Sequence, residues 1–391
     1  MKKIVFFCIP AHGHTNPTLG VVRELVNRGH QVWYYSYEMF RSRIEAAGAH
    51  FVACDDHDME MKLTPKEAAR LGSDLVLSTK VLVNTTLALD EMVCRDMERL
   101  QPDCIVADSM AVWGKAVAMK LDIPFVSSTT TFAFNRYSAK IMPQGMGELF
   151  RFLLAMPRCS PYIRRLQSWG YPVKNVLDIL QNDEHTHTIV YTSAQFQPCA
   201  DTFPEEYYSF VGPSLRPAQT EMEKTGEKLI YISMGTVNND LLPFYKACIE
   251  AFSDSDDQVI LSVGNVVNME ELGKSPENIH VYQQVDQIAV LQKADVFLTH
   301  CGMNSVSEAL YYGVPLVMYP KTSEQKGVAF RTAQLGAGIF LRKETAEEIR
   351  QTVETVLMDN SYAESAASIG GSFRKASGAA GAADKILKQC R

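Results

Sequence analysis

Two histidines stand one residue apart near the start of the chain, in His12-Gly-His14-Thr-Asn-Pro17. Imidazole is a good metal ligand, so the pair could open a metal site. A strand-to-helix turn offers two ligands at most, however, and no convincing third is visible. A structural turn would need no histidine. The third reading is a proton acceptor: a histidine of pKa near 6.5 is largely neutral at pH 7 and can take a proton. It does so best when a carboxylate holds its other nitrogen and stabilises the imidazolium. Asp108, at the carboxyl end of the apolar run "CIVAD", is the candidate partner.

A second cluster lies in "VFLTHCGMNSVSEALYYGVPLVMYPKTSEQ", Val296 to Gln325. A strand pattern runs into His300, Gly302 follows, and a helix pattern begins near Met303 or Asn304. The first turn of a helix carries free N–H groups and the positive end of its dipole, so it attracts phosphate. Gly302 permits a ligand to approach the backbone closely. His300, Asn304 and Ser305 add donors. Glu308, one turn on, can accept from sugar hydroxyls. The plain alternative is an ordinary helix with Asn304 as its cap. Glu324 and Gln325 follow the next strand. A carboxylate beside a carboxamide suits vicinal hydroxyls, one accepting and the other able to accept and donate.

These residues need elements to position them. Thirteen short apolar runs recur along the chain, among them "KIVFFCIP", "QVWYYSY", "LIYISMG" and "QVILSVG", as expected of parallel strands buried on both faces. Helical stretches separate them. The first is expected from about Asn16 to Arg28, with Pro17 in its first turn. Leu75, Leu82, Leu89, Val93, Met97 and Leu100 make an apolar stripe, read as core-facing rather than as a coiled-coil seam. Polar "GPSLRPAQTEMEKTGEK" reads as a linker. The expected architecture is α/β: residues 1–211 as one Rossmann-like domain, 212–228 as linker, 229–370 as a second, and 371–391 as a C-terminal helix packing back on the first. Ligands would lie in the cleft, at the carboxyl ends of the strands.

Composition narrows the function. The 391 residues exceed one ordinary core, and 46% hydrophobic with 21% charged residues is the balance of a folded chain. A formal net charge of -7 argues against nucleic acid as partner. No apolar run is long enough to span a membrane. The basic, apolar start resembles a signal peptide but ends at Pro10 without a small-residue cleavage site, so a buried first strand is expected. Nine scattered cysteines with no CxxC fit a reducing cytoplasm, without disulfides or a zinc cage. Asp56-x-Asp58 and Asp254-x-Asp256 match the spacing of a metal-binding pair but read as solvated turns. No GxGxxG follows the first strand, which counts against a nicotinamide dehydrogenase.

His300-Cys-Gly-Met-Asn-Ser-x-x-Glu308, then Gly313-Val-Pro315, Pro320 and Glu324-Gln325, resembles the donor signature of the UDP-glycosyltransferases of GT-B fold. "HGHTNP" and "YISMGT" resemble the N-terminus and first C-domain loop of bacterial macrolide- and flavonoid-type members. The resemblance covers essentially the whole chain. It implies a GT-B fold of two Rossmann-like domains facing across a cleft. It also implies an inverting transfer of a hexose, UDP-glucose being the default donor, without metal or other cofactor. By match, His14 is the base and Asp108 its partner, and His12 is a turn or pocket residue. His300, Gly302, Asn304 and Ser305 hold the diphosphate, Glu308 the ribose, and Glu324 and Gln325 the sugar. Ser233 and Thr236 close over the phosphates. Gln287 is kept in the base-binding stretch, but Gln284 and Asp286 stand at the family's aromatic and proline places. Glu324 stands where many relatives have Asp. A hydrophobic small-molecule acceptor would meet Met110, Trp113, Phe132, Phe134 and Met142, with plain core packing as the alternative for each. Rival functions are a non-catalytic sugar-nucleotide binder, a GT-B-fold nucleotide-sugar epimerase and a lipid-linked transferase.

Overall fold

The computed structural model describes the chain apart from residues 56–63, 65–66, 68–69, 71–73, 142–153, 181, 183–184 and 236–240. All thirteen apolar runs are strands. The first sheet contains β1 (Lys3–Phe7), β2 (Gln31–Ser36), β3 (His50–Ala53), β4 (Cys104–Asp108), β5 (Phe125–Thr129), β6 (Thr188–Val190) and β7 (Tyr208–Phe210), in the order β3-β2-β1-β4-β5-β6-β7. The second contains β8 (Leu229–Ser233), β9 (Gln258–Ser262), β10 (Ile279–Tyr282), β11 (Val296–Thr299), β12 (Leu316–Met318) and β13 (Gly338–Phe340), in the order β10-β9-β8-β11-β12-β13. Every pairing is parallel. The runs show no alternation because helices cover both faces of each sheet; every residue of β4, β8 and β9 is buried.

Strand order decides where the chemistry gathers. In each sheet the order reverses beside its first strand, β1 next to β4 and β8 next to β11. The loops leaving those neighbours diverge and open a crevice at the carboxyl ends. His14 follows β1, Asp108 ends β4, Ser233 ends β8 and His300 follows β11.

The helix Leu75–Leu100 turns its stripe into the first core, where Leu82, Leu89, Val93, Met97 and Leu100 are buried. The last two helices cross between domains. Asn360–Lys375 packs on the second domain, while Gly378–Gln389 buries Ala382, Ala383 and Ile386 in the core of the first. The first crossing passes Gly212, whose φ of 82° and close approach to the Phe373 carbonyl leave no room for a side chain. Beside it the Gly378 N–H donates to the Val211 carbonyl at 2.8 Å. The Arg331 guanidinium donates to the carbonyls of Gln195 at 2.7 Å and Phe196 at 2.9 Å, so the helix Ser323–Gln334 is tied to the first domain.

Candidate active site

The first helix spans His12–Asn27, four residues longer at its start than the sequence suggested. Its N-cap, Ala11, has no capping side chain and therefore no sequence signature. Both histidines lie within the first turn and Pro17 sits inside the helix. Because they are two residues apart on a helix, the imidazoles point in different directions. His12 faces outward, edge-on to Phe40 with centroids 5.0 Å apart, and its Nδ1 accepts from Arg43 at 3.3 Å. The two rings do not converge on one point. Among the described residues no group of three His, Cys, Asp or Glu could hold a metal ion.

His14 faces the crevice. Its Nδ1 lies 2.8 Å from Asp108 Oδ2, and the Asp108 side chain is wholly buried. An ionised carboxylate only accepts, so Nδ1 carries the proton and Nε2 presents its lone pair. Asp108 is itself fixed, because its Oδ1 accepts the Met110 N–H at 2.8 Å. The hydroxyl oxygen of Thr130, just beyond β5, lies 3.1 Å from His14 Nδ1 and steadies the same tautomer. Burial, the largest single influence on His14, lowers its pKa. The charge of Asp108, its hydrogen bond and the charge of Glu324 outweigh burial and hold the imidazole above its ordinary value. Thr130 escapes a reading of the sequence, since Ser127 to Thr131 is a run of five hydroxyl residues and nothing local singles one out.

Across the crevice the helix Met303–Tyr311 begins with Gly302 as its N-cap and no capping side chain. Asn304 is therefore not a cap. It sits in the first turn, where its Nδ2 donates to the Gly13 carbonyl of the other domain at 3.1 Å. With no carboxylate in that turn, the helix leaves its positive end open to an anion. His300 is enclosed beside it. Burial pushes its imidazole down to about 4, only partly offset by the Ser233 carbonyl, so the ring is neutral at pH 7. Its Nδ1 has no hydrogen-bond partner within the protein. Gly302 also has a packing role beside this ring. A Cβ there would lie 2.8 Å from His300 Nε2, and one on Gly235 2.6 Å from the same ring, so the two glycines make room for the imidazole.

Gln287 and Glu308 meet directly: Gln287 Nε2 donates to Glu308 Oε2 at 2.5 Å and lies 3.4 Å from Ser305 Oγ. The Tyr231 hydroxyl donates to Gln287 Oε1 at 3.1 Å. Burial raises the Glu308 pKa, against the lowering effect of Gln287 and Arg216. Asp286 faces the linker instead of the crevice. It pairs with Arg216 at 2.6 Å and accepts the backbone N–H of Gln219 and Thr220, which pins residues 216–220 to the second domain.

Gln325 is more restricted than a free carboxamide. It forms a capping box with Thr322, and its Oε1 accepts the N–H of Lys321 at 2.8 Å and of Thr322 at 3.1 Å. Both acceptor positions are used, so toward a ligand Gln325 can only donate. Glu324 keeps an exposed carboxylate in the crevice. Partial enclosure raises its pKa, against the lowering pull of His14, and Asp108 adds to the rise.

The apolar residues divide. Trp113 is 3% exposed and belongs to the first domain's core, its helix Val112–Lys120 lying flat on the sheet. Phe132 is 2% exposed and packs on Phe196, centroids 5.4 Å apart, in a cluster shared with the second domain. Both are buried in this structure, which is the packing that the plainer alternative expects. Met110 and Phe134 are 41% and 56% exposed. Ser233 is buried at the end of β8. Met142, Thr236, Asp56 and Asp58 lie outside the described residues. Asp254 pairs with Arg350 at 2.6 Å on the surface. No helix among the described residues is long and apolar enough to cross a membrane.

Residues 246–377 match the family model of the erythromycin biosynthesis protein CIII-like C-terminal domain. The chain is 34% identical to an uncharacterised UDP-glucosyltransferase, YdhE, of Bacillus subtilis, over 96% of its own length and 95% of that protein. It is also 34% identical to NDP-glycosyltransferase YjiC of Bacillus subtilis, over 99% and 97% of the two chains. The solved structure of the glycosyltransferase of kitacinnamycin superposes with a TM-score of 0.84 at 28% identity, covering 100% of this chain and 99% of that one.

Proposed function

The chain belongs to the bacterial family 1 glycosyltransferases of GT-B fold, the macrolide and natural-product type, and on that premise we propose how its crevice carries out the transfer. The donor is a UDP-hexose, UDP-glucose by default, a reading supported by the similarity to the UDP-glucosyltransferase YdhE. The acceptor is a hydroxyl of a hydrophobic small molecule such as a phenol, flavonoid or macrolide. His14 Nε2 takes the hydroxyl proton, while Asp108 holds Nδ1–H and stabilises the imidazolium. The acceptor oxygen attacks the anomeric carbon from the face opposite the diphosphate, so configuration inverts. Charge grows on the leaving diphosphate. The uncapped first turn of Met303–Tyr311 meets it together with Asn304, and the single N–H of neutral His300 joins them when it turns from the Ser233 carbonyl to the phosphate. Glu324 accepts from sugar hydroxyls and Gln325 donates to them. These fixed dipoles take the part that a divalent cation plays in other transferases.

The observation that carries this reading is the meeting of the two halves. Asn304, on the anion-binding turn, touches Gly13, the residue before the Asp108-held His14. Base and leaving-group site thus face one space. The test is UDP release from UDP-glucose with a panel of phenols and flavonoids in chelator, comparing the native protein with His14→Ala. Turnover lost in the variant with UDP binding retained supports the assignment. Turnover kept by the variant moves the base elsewhere, and full dependence on added metal overturns the metal-free mechanism.

A further inference from the structure

In an α-helix the carbonyl of residue 13 accepts the N–H of residue 17. Here residue 17 is proline, which has none, so the Gly13 carbonyl lacks its i+4 partner. It accepts instead from Asn304 Nδ2 of the other domain at 3.1 Å. That carbonyl belongs to the peptide unit joining Gly13 to His14. We infer that Pro17 and Asn304 form an inter-domain link that registers the base against the leaving-group site, with Asn304 a positioning residue for His14 as well as a donor contact. The inference rests on the function proposed above.

The chemistry of the carboxamide makes the double role possible. Its nitrogen has two hydrogens. One is on the Gly13 carbonyl, and the other remains for a ligand at the open helix end. Neighbouring groups frame the contact. Asn16, Pro17, Asn304, Ser307 and Glu308 line one small inter-domain cavity, and the buried Ser307 hydroxyl there lacks a protein partner. The contact therefore sits in a polar seam between the domains. Fixing a base within a fraction of an ångström of its acceptor is worth more to the transition state than to substrate binding. The link should accordingly act on kcat.

Pro17→Ala tests this directly. It supplies the Gly13 oxygen with an N–H from its own helix. That oxygen can accept two donors, so the new bond draws it toward the helix axis and weakens the Asn304 contact without excluding it, and removal of a helix-interior proline should let the fold keep its Tm. One hydrogen bond sets the scale: kcat should fall about three- to tenfold, with the KM for UDP-glucose within about twofold of native. In an Asn304→Ala background, which has no link to lose, Pro17→Ala should leave kcat unchanged. An equal loss in both backgrounds, or no loss in the native one, overturns the inference. A second readout needs no turnover. In donor-free protein, hydrogen–deuterium exchange at the hydrogen-bonded amides of Met303–Tyr311, from Val306 on, should quicken in Pro17→Ala. Unchanged exchange there refutes the link even if no sugar is transferred, which separates its failure from that of the proposed activity.

Discussion

Asp108→Asn is the sharpest test of the tautomer argument, because the structure dictates how the new amide must turn. Asp108 accepts on both oxygens, from His14 Nδ1 at 2.8 Å and from the Met110 N–H at 2.8 Å. Asparagine has one accepting end and one donating end. With its NH2 toward Met110, two donors would face each other in a buried place, at a cost of about 1–3 kcal/mol. The amide therefore keeps its oxygen on Met110 and turns its NH2 to His14. Nδ1 must then accept, and the proton moves to Nε2, the atom that should take the acceptor's proton. A bias of about 1–3 kcal/mol makes the unproductive tautomer about five- to 160-fold favoured. Loss of the charge that stabilises the imidazolium adds to this, so kcat should fall by about 10²–10⁴. The pH profile supplies the sign. In the native protein the unprotonated base is lost as pH falls through a His14 pKa raised above 6.5. Without the Asp108 charge, burial dominates and lowers that pKa, so the acid limb of kcat/KM should move to lower pH. The assay is UDP release between about pH 5 and 9, the window that brackets an ordinary histidine. A variant with kcat within threefold of native and an unmoved acid limb would refute the reasoning.

The other predictions concern neighbours of the site. Trp113→Ala should destabilise the fold by about 3–5 kcal/mol, read by thermal or urea unfolding, whereas Phe134→Ala should leave stability within about 0.5 kcal/mol and raise the acceptor KM. The reverse pattern would place Trp113 in the cleft. Thr130→Val should lower kcat about three- to tenfold with donor KM unchanged, and Thr130→Ser should restore it; an effect confined to donor KM would assign the hydroxyl to the sugar instead. Gln325→Glu keeps the capping acceptor but loses both N–H donors, so the KM for UDP-glucose should rise with little change in Tm. Gln325→Ala also loses the side-chain half of the capping box, while Thr322 still accepts the backbone N–H of residue 325, and should cost roughly 1 kcal/mol of stability by differential scanning calorimetry. Equal Tm values for the two variants would contradict the capping role.

Strands were the most legible part of this chain. A parallel strand covered on both faces is a short apolar run, and that property belongs to a few consecutive residues. Helix starts were less so. The first helix opens at an alanine without a capping side chain, and proline inside it suggested a first turn that lies elsewhere. Asn304 illustrates the same limit, having the chemistry of a cap while Gly302 takes the position. Aromatic placement was not legible at all. Trp113, Phe132 and Phe134 are alike in sequence terms, and their different burial follows from which sheet face or domain each one meets. Arg216 and Asp286, 70 residues apart, carry no local sign that they pair.

By itself the sequence determined the alternating strand–helix order, the open helix end after His300 and the residue types able to take a proton or hold a phosphate, because these depend on spacing of a few residues. Tertiary structure decided which of them meet. His14 reaches Asp108, 94 residues away, because β1 pairs with β4. Asn304 reaches Gly13, 291 residues away, because the two domains dock with the carboxyl ends of their sheets around one crevice. Strand pairing and domain docking are set by the summed packing of both cores, a quantity that no local stretch of the chain contains.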